Sequence, residues 1–186
     1  MSDEVGADLA ALPPLREVIR SHGLAADKRF GQHFLTDPSI LNRIARASGP
    51  LDAGTVIEIG PGPGGLTRAL LAENVGHLVA IEIDPRCVAI AEEIAAAAGG
   101  RMTVLAADAL EVDITQLGPP PRRIVANLPY NIATPLLVGW LGQIARDKDA
   151  IASMILMFQR EVADRLVATP GGKIYGRLTV LTQWLT

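Results

Sequence analysis

The chain has 186 residues, of which 49% are hydrophobic and 20% charged, and its formal net charge at pH 7 is −3. This composition can form a buried core, which excludes a wholly disordered chain; the single cysteine excludes a disulfide framework, and the three histidines lack metal-ligand spacing. The acidic first residues and the absence of an apolar run of about 18 residues argue against a secretory signal and a membrane span, so we expect a cytoplasmic protein.

The first part of the chain is predicted to contain a tail and two helices. Residues 1–14 are alanine-rich, acidic and without periodic pattern, and we expect a flexible tail there. A helix is predicted over residues 15–22, with Gly23 placed to end it. Asp37 is suited to cap a second helix that begins at Pro38 and ends before Gly49.

Short apolar strands alternate with helices from residue 55 onward. Strands are predicted over residues 55–59, 77–83, 102–108, 122–127 and 152–158, and helices over residues 66–73, 85–98, 135–143 and 160–168. Strands that are apolar on both faces and alternate with helices indicate an α/β fold with a mostly parallel central sheet flanked by helices.

The last predicted element is an apolar helix without a stop signal. Leu178, Leu181 and Leu185 share one helical face, and no capping residue follows them. We therefore expect the chain to be a piece of a longer protein. Trp140 and Trp184 also fall at helical apolar spacing and are predicted to lie in the core.

A glycine-rich segment, EIGPGPGGLT, follows the first strand and opens a helix. Glycines let the backbone approach a ligand closely, and a helix N-terminus offers free N–H groups. Gly60, Gly62 and Gly65 match the spacing of a dinucleotide-binding loop, so NAD is one candidate ligand. A tight turn without a ligand is the structural alternative.

Acidic residues follow the next two predicted strands. Glu82 stands about twenty residues after the glycine segment, where a carboxylate can accept the hydroxyls of a ribose from NAD or S-adenosylmethionine. Asp108, at the end of the third strand, suits the amino group of an adenine and favours the methyl donor. A helix cap is the alternative role for Asp108.

The sequence Asn127-Leu128-Pro129-Tyr130 at the end of the fourth strand indicates methylation of an exocyclic amine. The lone pair of such a nitrogen is delocalised into its ring, so two acceptors are needed to draw its hydrogens away and free the pair. The Asn127 amide supplies one acceptor, and the carbonyl of Leu128 or Pro129 supplies the other. Tyr130 offers a face for an extruded base. Correct positioning of the amine, together with electrostatic stabilisation, would then account for the rate of methyl transfer.

Five ordered segments resemble the adenine N6-dimethyltransferases of small-subunit ribosomal RNA. KRFGQHFL resembles the family's GQNFL block, EIGPGPGGLT its cofactor loop and NLPYNIATPLL its catalytic block, and MFQREVADRL and KIYGRLTVLTQ resemble further segments. The resemblance implies a Rossmann-like class I methyltransferase domain over residues 15–186. It also implies further strands and a small helical RNA-binding domain that are absent from this chain.

The resemblance implies functional residues, including His33, which stands where asparagine is more common and adds a titratable group. The cofactor-binding candidates are Gln32, His33, Leu35, Glu58, Gly60, Gly62, Glu82, Ile83, Asp108, Ala109 and Asn127. The catalytic candidates are Asn127, Leu128, Pro129, Tyr130 and Phe158, the last as a second stacking surface. The implied cofactor is S-adenosylmethionine, with S-adenosylhomocysteine as product and without a metal.

The implied partner is 16S rRNA within the immature 30S subunit, bound by a monomer. Two basic segments flank an acidic middle: residues 47–121 hold ten acids and three bases, whereas residues 122–186 hold eight bases and four acids. This is compatible with a nucleic-acid surface or with ordinary solvated charge. The candidate contacts are Lys28, Arg29, Arg122, Arg123, Arg160, Arg165, Lys173 and Arg177.

Three other functions remain open at this point. One is methylation of 23S rRNA, as in the macrolide-resistance enzymes. Another is a ribosome-assembly factor that acts mainly by binding pre-30S particles. An NAD-dependent oxidoreductase is disfavoured, because no catalytic histidine, lysine or Tyr-x-x-x-Lys arrangement accompanies the glycine segment.

Overall fold

The computed structural model describes residues 9–24 and 34–186, which form helices packed on both faces of a parallel sheet. The helices are α1 (Leu15–Ser21), α2 (Pro38–Ala47), α3 (Gly65–Ala72), α4 (Pro85–Ala97), α5 (Ala133–Arg146), α6 (Arg160–Leu166) and α7 (Arg177–Leu185). The strands are β1 (Thr55–Ile59), β2 (Leu78–Glu82), β3 (Met102–Ala106), β4 (Arg122–Asn127) and β5 (Ser153–Met157), and a short 3₁₀ turn spans Ile114–Gln116. None of the helices in these ranges has both the length and the apolarity needed to cross a bilayer.

The five strands lie in the order β3-β2-β1-β4-β5, and every neighbouring pair is parallel. The chain moves outward from β1 through β2 to β3, returns to the other side of β1 for β4, and then forms β5 beside β4. The order therefore reverses between β1 and β4. In open parallel sheets, ligands bind beside the carboxyl ends of the strands at such a reversal point.

Two hydrophobic layers cover the sheet. Val56 and Leu78 pack on one face with apolar residues of α1 to α4, while Ile57 and Ile124 pack on the other face with α5. Leu185 and other leucines of α7 pack against this second layer. Strands buried on both faces need the near-continuous apolar runs from which the sheet was predicted.

Aspartates cap two of the helices that hold the loops of the sheet in place. The Asp37 carboxylate accepts the Ser39 and Ile40 amides at the start of α2. Asp84 does the same for the Arg86 amide at the start of α4, and hydrogen bonds from the Arg86 side chain lower the pKa of the Asp84 carboxyl. Each side chain satisfies N–H groups that the helix leaves without an internal partner.

Most of the predicted elements are confirmed: the bounds of β1 and β4 match the prediction, and the ends of the others are shifted by at most three residues. The prediction for Trp184 is wrong, because its side chain is 80% exposed, whereas Trp140 is buried as predicted. The predicted tail also extends too far along the chain. Leu9 and Leu12 pack against the first core layer, and the Pro13 carbonyl accepts a hydrogen bond from Arg68, so residues 9–14 belong to the packed domain.

Candidate functional site

A cavity opens at the reversal point of the sheet, beside the carboxyl ends of β1, β2 and β4. Its walls come from the glycine loop after β1, the end of β2, the turn after β4 and the segment before α2. The lining residues are Phe34, Leu35, Leu41, Glu58, Gly60, Pro61, Gly62, Pro63, Gly65, Leu66, Glu82, Ile83, Asn127, Leu128, Pro129 and Tyr130. The fold thus brings together four segments that are separated in the sequence.

The glycine loop has backbone angles that favour glycine. Gly60, Gly62 and Gly64 have φ angles of 64°, 54° and 84°, in the left-handed region where a Cβ is strained. A Cβ on Gly62 would also lie 3.3 Å from the Phe34 ring. The loop therefore follows the cavity wall closely, and α3 begins directly after it at Gly65.

Glu82 is held at the end of β2 by three backbone amides. Its Oε1 accepts the amides of Ile83 at 2.8 Å and Asp84 at 2.9 Å, and its Oε2 accepts the amide of Gly62 at 3.2 Å. Each carboxylate oxygen has two acceptor sites, so one site on Oε2 remains for a ligand. Glu82 therefore links the glycine loop to β2 and presents an acceptor where the sequence predicted one.

Glu58 also lines this cavity, and no ion pair joins it to a basic side chain in residues 9–24 and 34–186. Its side chain is fully buried, and its Oε2 lacks a hydrogen-bond partner among the described residues. Burial raises the pKa of Glu58 to about 8; the adjacent Thr67 hydroxyl and amide lower this pKa in part, and the Glu82 carboxylate raises it further. A carboxyl with this pKa is mostly protonated, and therefore neutral, at pH 7.

The turn after β4 positions the predicted amine acceptors. Asn127 ends the strand, and its register partner on β5 is Met157. The carbonyl of Pro129 accepts the amides of Ile132 at 3.2 Å and Ala133 at 3.1 Å at the start of α5. The Pro129 carbonyl is therefore engaged at the start of α5, and we expect the carbonyl of Leu128 to work together with Asn127; this assignment stays a prediction.

Other predicted cofactor residues lie beside the cavity or outside the described ranges. Ile83 lines the cavity and is 66% exposed. Asp108 does not line it, and its carboxylate accepts the Leu110 amide at 2.9 Å, as a capping residue would. Ala109 is buried in the second core layer. Gln32 and His33 lie outside the described residues, so their assignments stay predictions.

Phe158 does not line the cavity that contains Tyr130. It follows β5 and packs against the second core layer, where it lines a separate apolar cavity with Leu137, Met154 and Leu166. Its predicted role as a second stacking surface stays a prediction.

The predicted RNA contacts are divided between the amino ends and the carboxyl ends of the strands. Arg122 and Arg123 lie at the amino end of β4, whereas Asn127 lies at its carboxyl end. Their side chains donate hydrogen bonds to the carbonyls of Gly118 and Ala53. Arg160 instead follows the carboxyl end of β5, on the edge that bears the cavity, and is paired with Asp164 at 3.7 Å. The other described basic candidates, Arg165, Lys173 and Arg177, are exposed. Lys28 and Arg29 lie outside the described ranges.

Two residues of the site were missed at the sequence level. Phe34 covers Gly62, and the buried Thr67 hydroxyl lies beside Glu58. Both belong to segments that the sequence singled out, namely KRFGQHFL and EIGPGPGGLT. Their spacing alone carried no signal, because each acts through a contact that only folding creates.

The site contains no cluster that suggests a metal. In the part of the chain that the structure describes, no group of three or more histidine, cysteine, aspartate or glutamate side chains could hold a metal ion. The lone thiol, Cys87, is buried in α4, and burial raises its pKa to about 12.

Comparison with known proteins places this chain in one family. The family model described as ribosomal RNA adenine dimethylase matches residues 23–186. A ribosomal RNA small subunit methyltransferase A from Rhodospirillum rubrum is 56% identical over 191 residues, covering 100% of this chain and 64% of that protein. One from Paramagnetospirillum magneticum is 60% identical over 176 residues, covering 95% and 61%. The chain therefore spans less than two thirds of the length of these relatives.

Solved structures share the fold. A dimethyladenosine transferase from Plasmodium falciparum has a TM-score of 0.68 and 30% identity, covering 81% of this chain and 52% of that one. The 23S rRNA methyltransferase ErmE has a TM-score of 0.58 and 30% identity, covering 81% and 55%. The sequence identity is the same for both structures, and the TM-score is higher for the dimethyladenosine transferase.

Proposed function

Because this chain belongs to the ribosomal RNA adenine dimethylase family, we propose that it is the cofactor-binding and catalytic part of a small-subunit rRNA methyltransferase. The proposed reaction transfers methyl groups from S-adenosylmethionine to the exocyclic N6 of two adjacent adenines near the 3′ end of 16S rRNA. Its proposed place is in the cytoplasm, on the immature 30S subunit.

One observation carries this proposal: the turn from Asn127 to Tyr130 faces the same cavity as the glycine loop and Glu82. A methyl donor and an acceptor amine must meet within about 3 to 3.5 Å for transfer. A cavity shared by a nucleoside-binding loop and a pair of amine acceptors meets that requirement. An NAD-dependent oxidoreductase would have no use for the paired acceptors.

The cavity also suits the cofactor chemically. Glu82 keeps an acceptor site for a ribose hydroxyl, and Ile83 offers an exposed apolar surface beside it. Glu58 adds a buried carboxyl that has no basic partner among the residues lining the cavity, which suits a ligand with positive charge. When bound, the cofactor supplies an electrophilic methyl group on a sulfonium.

The residues of the β4 turn prepare the amine. The amide oxygen of Asn127 and the carbonyl of Leu128 accept its two hydrogens, so the nitrogen lone pair is released from the ring. Pro129 restricts the backbone between them and Tyr130, and its own carbonyl holds the start of α5. The Tyr130 ring supports the extruded adenine by stacking. These residues orient the amine, and no strong base is required.

Binding of the cofactor by this chain is the first test. Isothermal titration with S-adenosylhomocysteine should show binding at a single site, and titration with NAD should show none. The Glu82→Gln variant should lose most of the S-adenosylhomocysteine affinity, while Glu92→Gln, an exposed change on α4, should retain it. Binding of NAD in place of S-adenosylhomocysteine would refute the proposal.

The RNA target needs a separate experiment, because the chain spans only part of its relatives. Labelled methyl groups should be mapped after incubation of immature 30S particles with the chain and S-adenosylmethionine. Incorporation near the 3′ end of 16S rRNA supports the proposal. A parallel incubation uses purified 23S rRNA, and incorporation only into that RNA would favour the alternative of a 23S rRNA methyltransferase, the class of the ErmE structure.

Catalysis and ribosome assembly can be separated with one variant. Asn127→Ala should lower methyl transfer by about 100-fold or more, the scale seen when one positioned polar group is removed from an active site. If this variant still supports assembly of the small subunit, binding and not methylation is the main role. RNA binding itself should weaken steeply as salt concentration rises.

A further inference from the structure

The described residues that line the cavity include two carboxyl groups, those of Glu58 and Glu82. Glu58 pairs in register with Ala80, and Glu82 lies two residues further along β2, so both side chains start from the same face of the sheet. No lysine, arginine or histidine occurs among the described residues that line the cavity. With both carboxyls ionised, the described lining would carry two negative charges and no positive one.

The two carboxyls are in different surroundings. Glu82 receives three backbone N–H groups, which stabilise a negative charge. Glu58 faces the Glu82 carboxylate from β2 and the Thr67 hydroxyl from α3, and the Asn127 amide from the end of β4 lines the same cavity. Its fully buried Oε2 has no hydrogen-bond partner in the described structure. A positively charged ligand in the cavity would stabilise the ionised form of the Glu58 carboxyl.

We propose that Glu58 distinguishes S-adenosylmethionine from S-adenosylhomocysteine by ionising only when the positively charged cofactor occupies the cavity. This proposal rests on the proposed function. S-adenosylmethionine carries a sulfonium in addition to its ammonium and carboxylate groups, whereas S-adenosylhomocysteine has a neutral thioether. Binding of the donor therefore releases a proton from Glu58 to solvent. After transfer, Glu58 regains a proton from solvent, and the product loses the attraction that held the donor.

The size of the effect follows from charge and distance. A unit positive charge about 6 Å away, in an effective dielectric of about 20, lowers a carboxyl pKa by about 2 pH units. The pKa of Glu58 would fall from about 8 to about 6, and binding at pH 7 would release about 0.8 proton. Affinity for S-adenosylmethionine should then rise about tenfold from pH 6 to pH 7.5 through Glu58.

The test is a proton count by isothermal titration. S-adenosylmethionine and S-adenosylhomocysteine are each titrated at pH 7 in buffers with different ionisation enthalpies, using the wild-type chain, Glu58→Gln and the exposed control Glu92→Gln. The ligand amino group also titrates near this pH. The deciding quantity is therefore the difference in released protons between wild type and Glu58→Gln, in which the ligand's own contribution cancels.

Each outcome decides the question. Release of about 0.5 to 1 additional proton by wild type with S-adenosylmethionine, and little with S-adenosylhomocysteine, supports the proposal. Equal proton counts for wild type and Glu58→Gln with intact binding would overturn it. If Glu58→Gln does not fold, equal proton release by wild type with the two ligands, after correction for each free ligand's amino group, would overturn it. Failure of wild type to bind either ligand would instead overturn the proposed function.

Discussion

Replacing Glu58 with glutamine should stabilise the folded chain at neutral pH. The pKa of this buried carboxyl is raised from 4.5 to about 8. The unfolded chain exposes Glu58 and ionises it above pH 4.5, whereas the folded chain keeps it protonated up to about pH 8. The folded state therefore binds more protons in this window, and stability falls as pH rises through it. Glutamine has a similar shape and no charge to bury.

The expected magnitude follows from the width of the window. Each pH unit between the two pKa values is worth about 1.4 kcal/mol, so Glu58 costs the folded state about 3 kcal/mol at pH 7 and almost nothing at pH 4.5. Part of the gain is offset because glutamine changes the hydrogen bonding near Thr67. We expect Glu58→Gln to raise the free energy of unfolding by about 2 to 3 kcal/mol at pH 7.

Urea denaturation followed by circular dichroism at pH 5, 6, 7 and 8 measures this difference. Glu92→Gln, which changes an exposed glutamate on α4, is the matched control and should follow wild type within about 0.5 kcal/mol. The reasoning is refuted if wild type and Glu58→Gln lose stability in parallel between pH 5 and pH 8. The buried carboxyl would then already be ionised in the folded state.

Three further predictions compare positions whose surroundings differ. In urea melts, Trp140→Ala should lower the free energy of unfolding by about 3 to 5 kcal/mol, but Trp184→Ala, at an 80% exposed side chain, by less than about 1 kcal/mol. Gly62→Ala and Gly49→Ala both strain a positive φ, yet only the first meets a side chain, so only it should weaken S-adenosylhomocysteine binding in calorimetry. Asp37→Ala should cost about 1 kcal/mol in the same melts because α2 loses its cap; an unchanged midpoint would contradict this.

The strands and helices were largely predictable because their signals are local. Short apolar runs between turn residues located all five described strands, and Asp37 before Pro38 located the start of α2. Trp184 shows the limit of such signals. Helical spacing identifies an apolar stripe, but Trp184 lies off the face on which Leu181 and Leu185 meet the core. The spacing of apolar residues along a helix does not show which side of that helix another element will cover.

The chemistry of the site was also visible in part. Glu82 and Asn127 were predicted because strand ends in a parallel sheet converge on one edge. The sequence left the carbonyls of Leu128 and Pro129 as alternatives, and it could not show that the Pro129 carbonyl accepts two amides at the start of α5. The contact of Phe34 with Gly62 joins segments that are 28 positions apart in the sequence.

Sequence by itself determined the residue types at the site and the order of the elements that carry them. Tertiary structure decided their environments: Glu58 became a buried acid without a partner, Glu82 a carboxylate held by three amides, and Asp108 a turn cap outside the cavity. The physical reason is that desolvation and hydrogen bonding depend on neighbours brought together by folding. Two glutamates with the same side chain can therefore have different hydrogen-bond partners and different burial within one cavity.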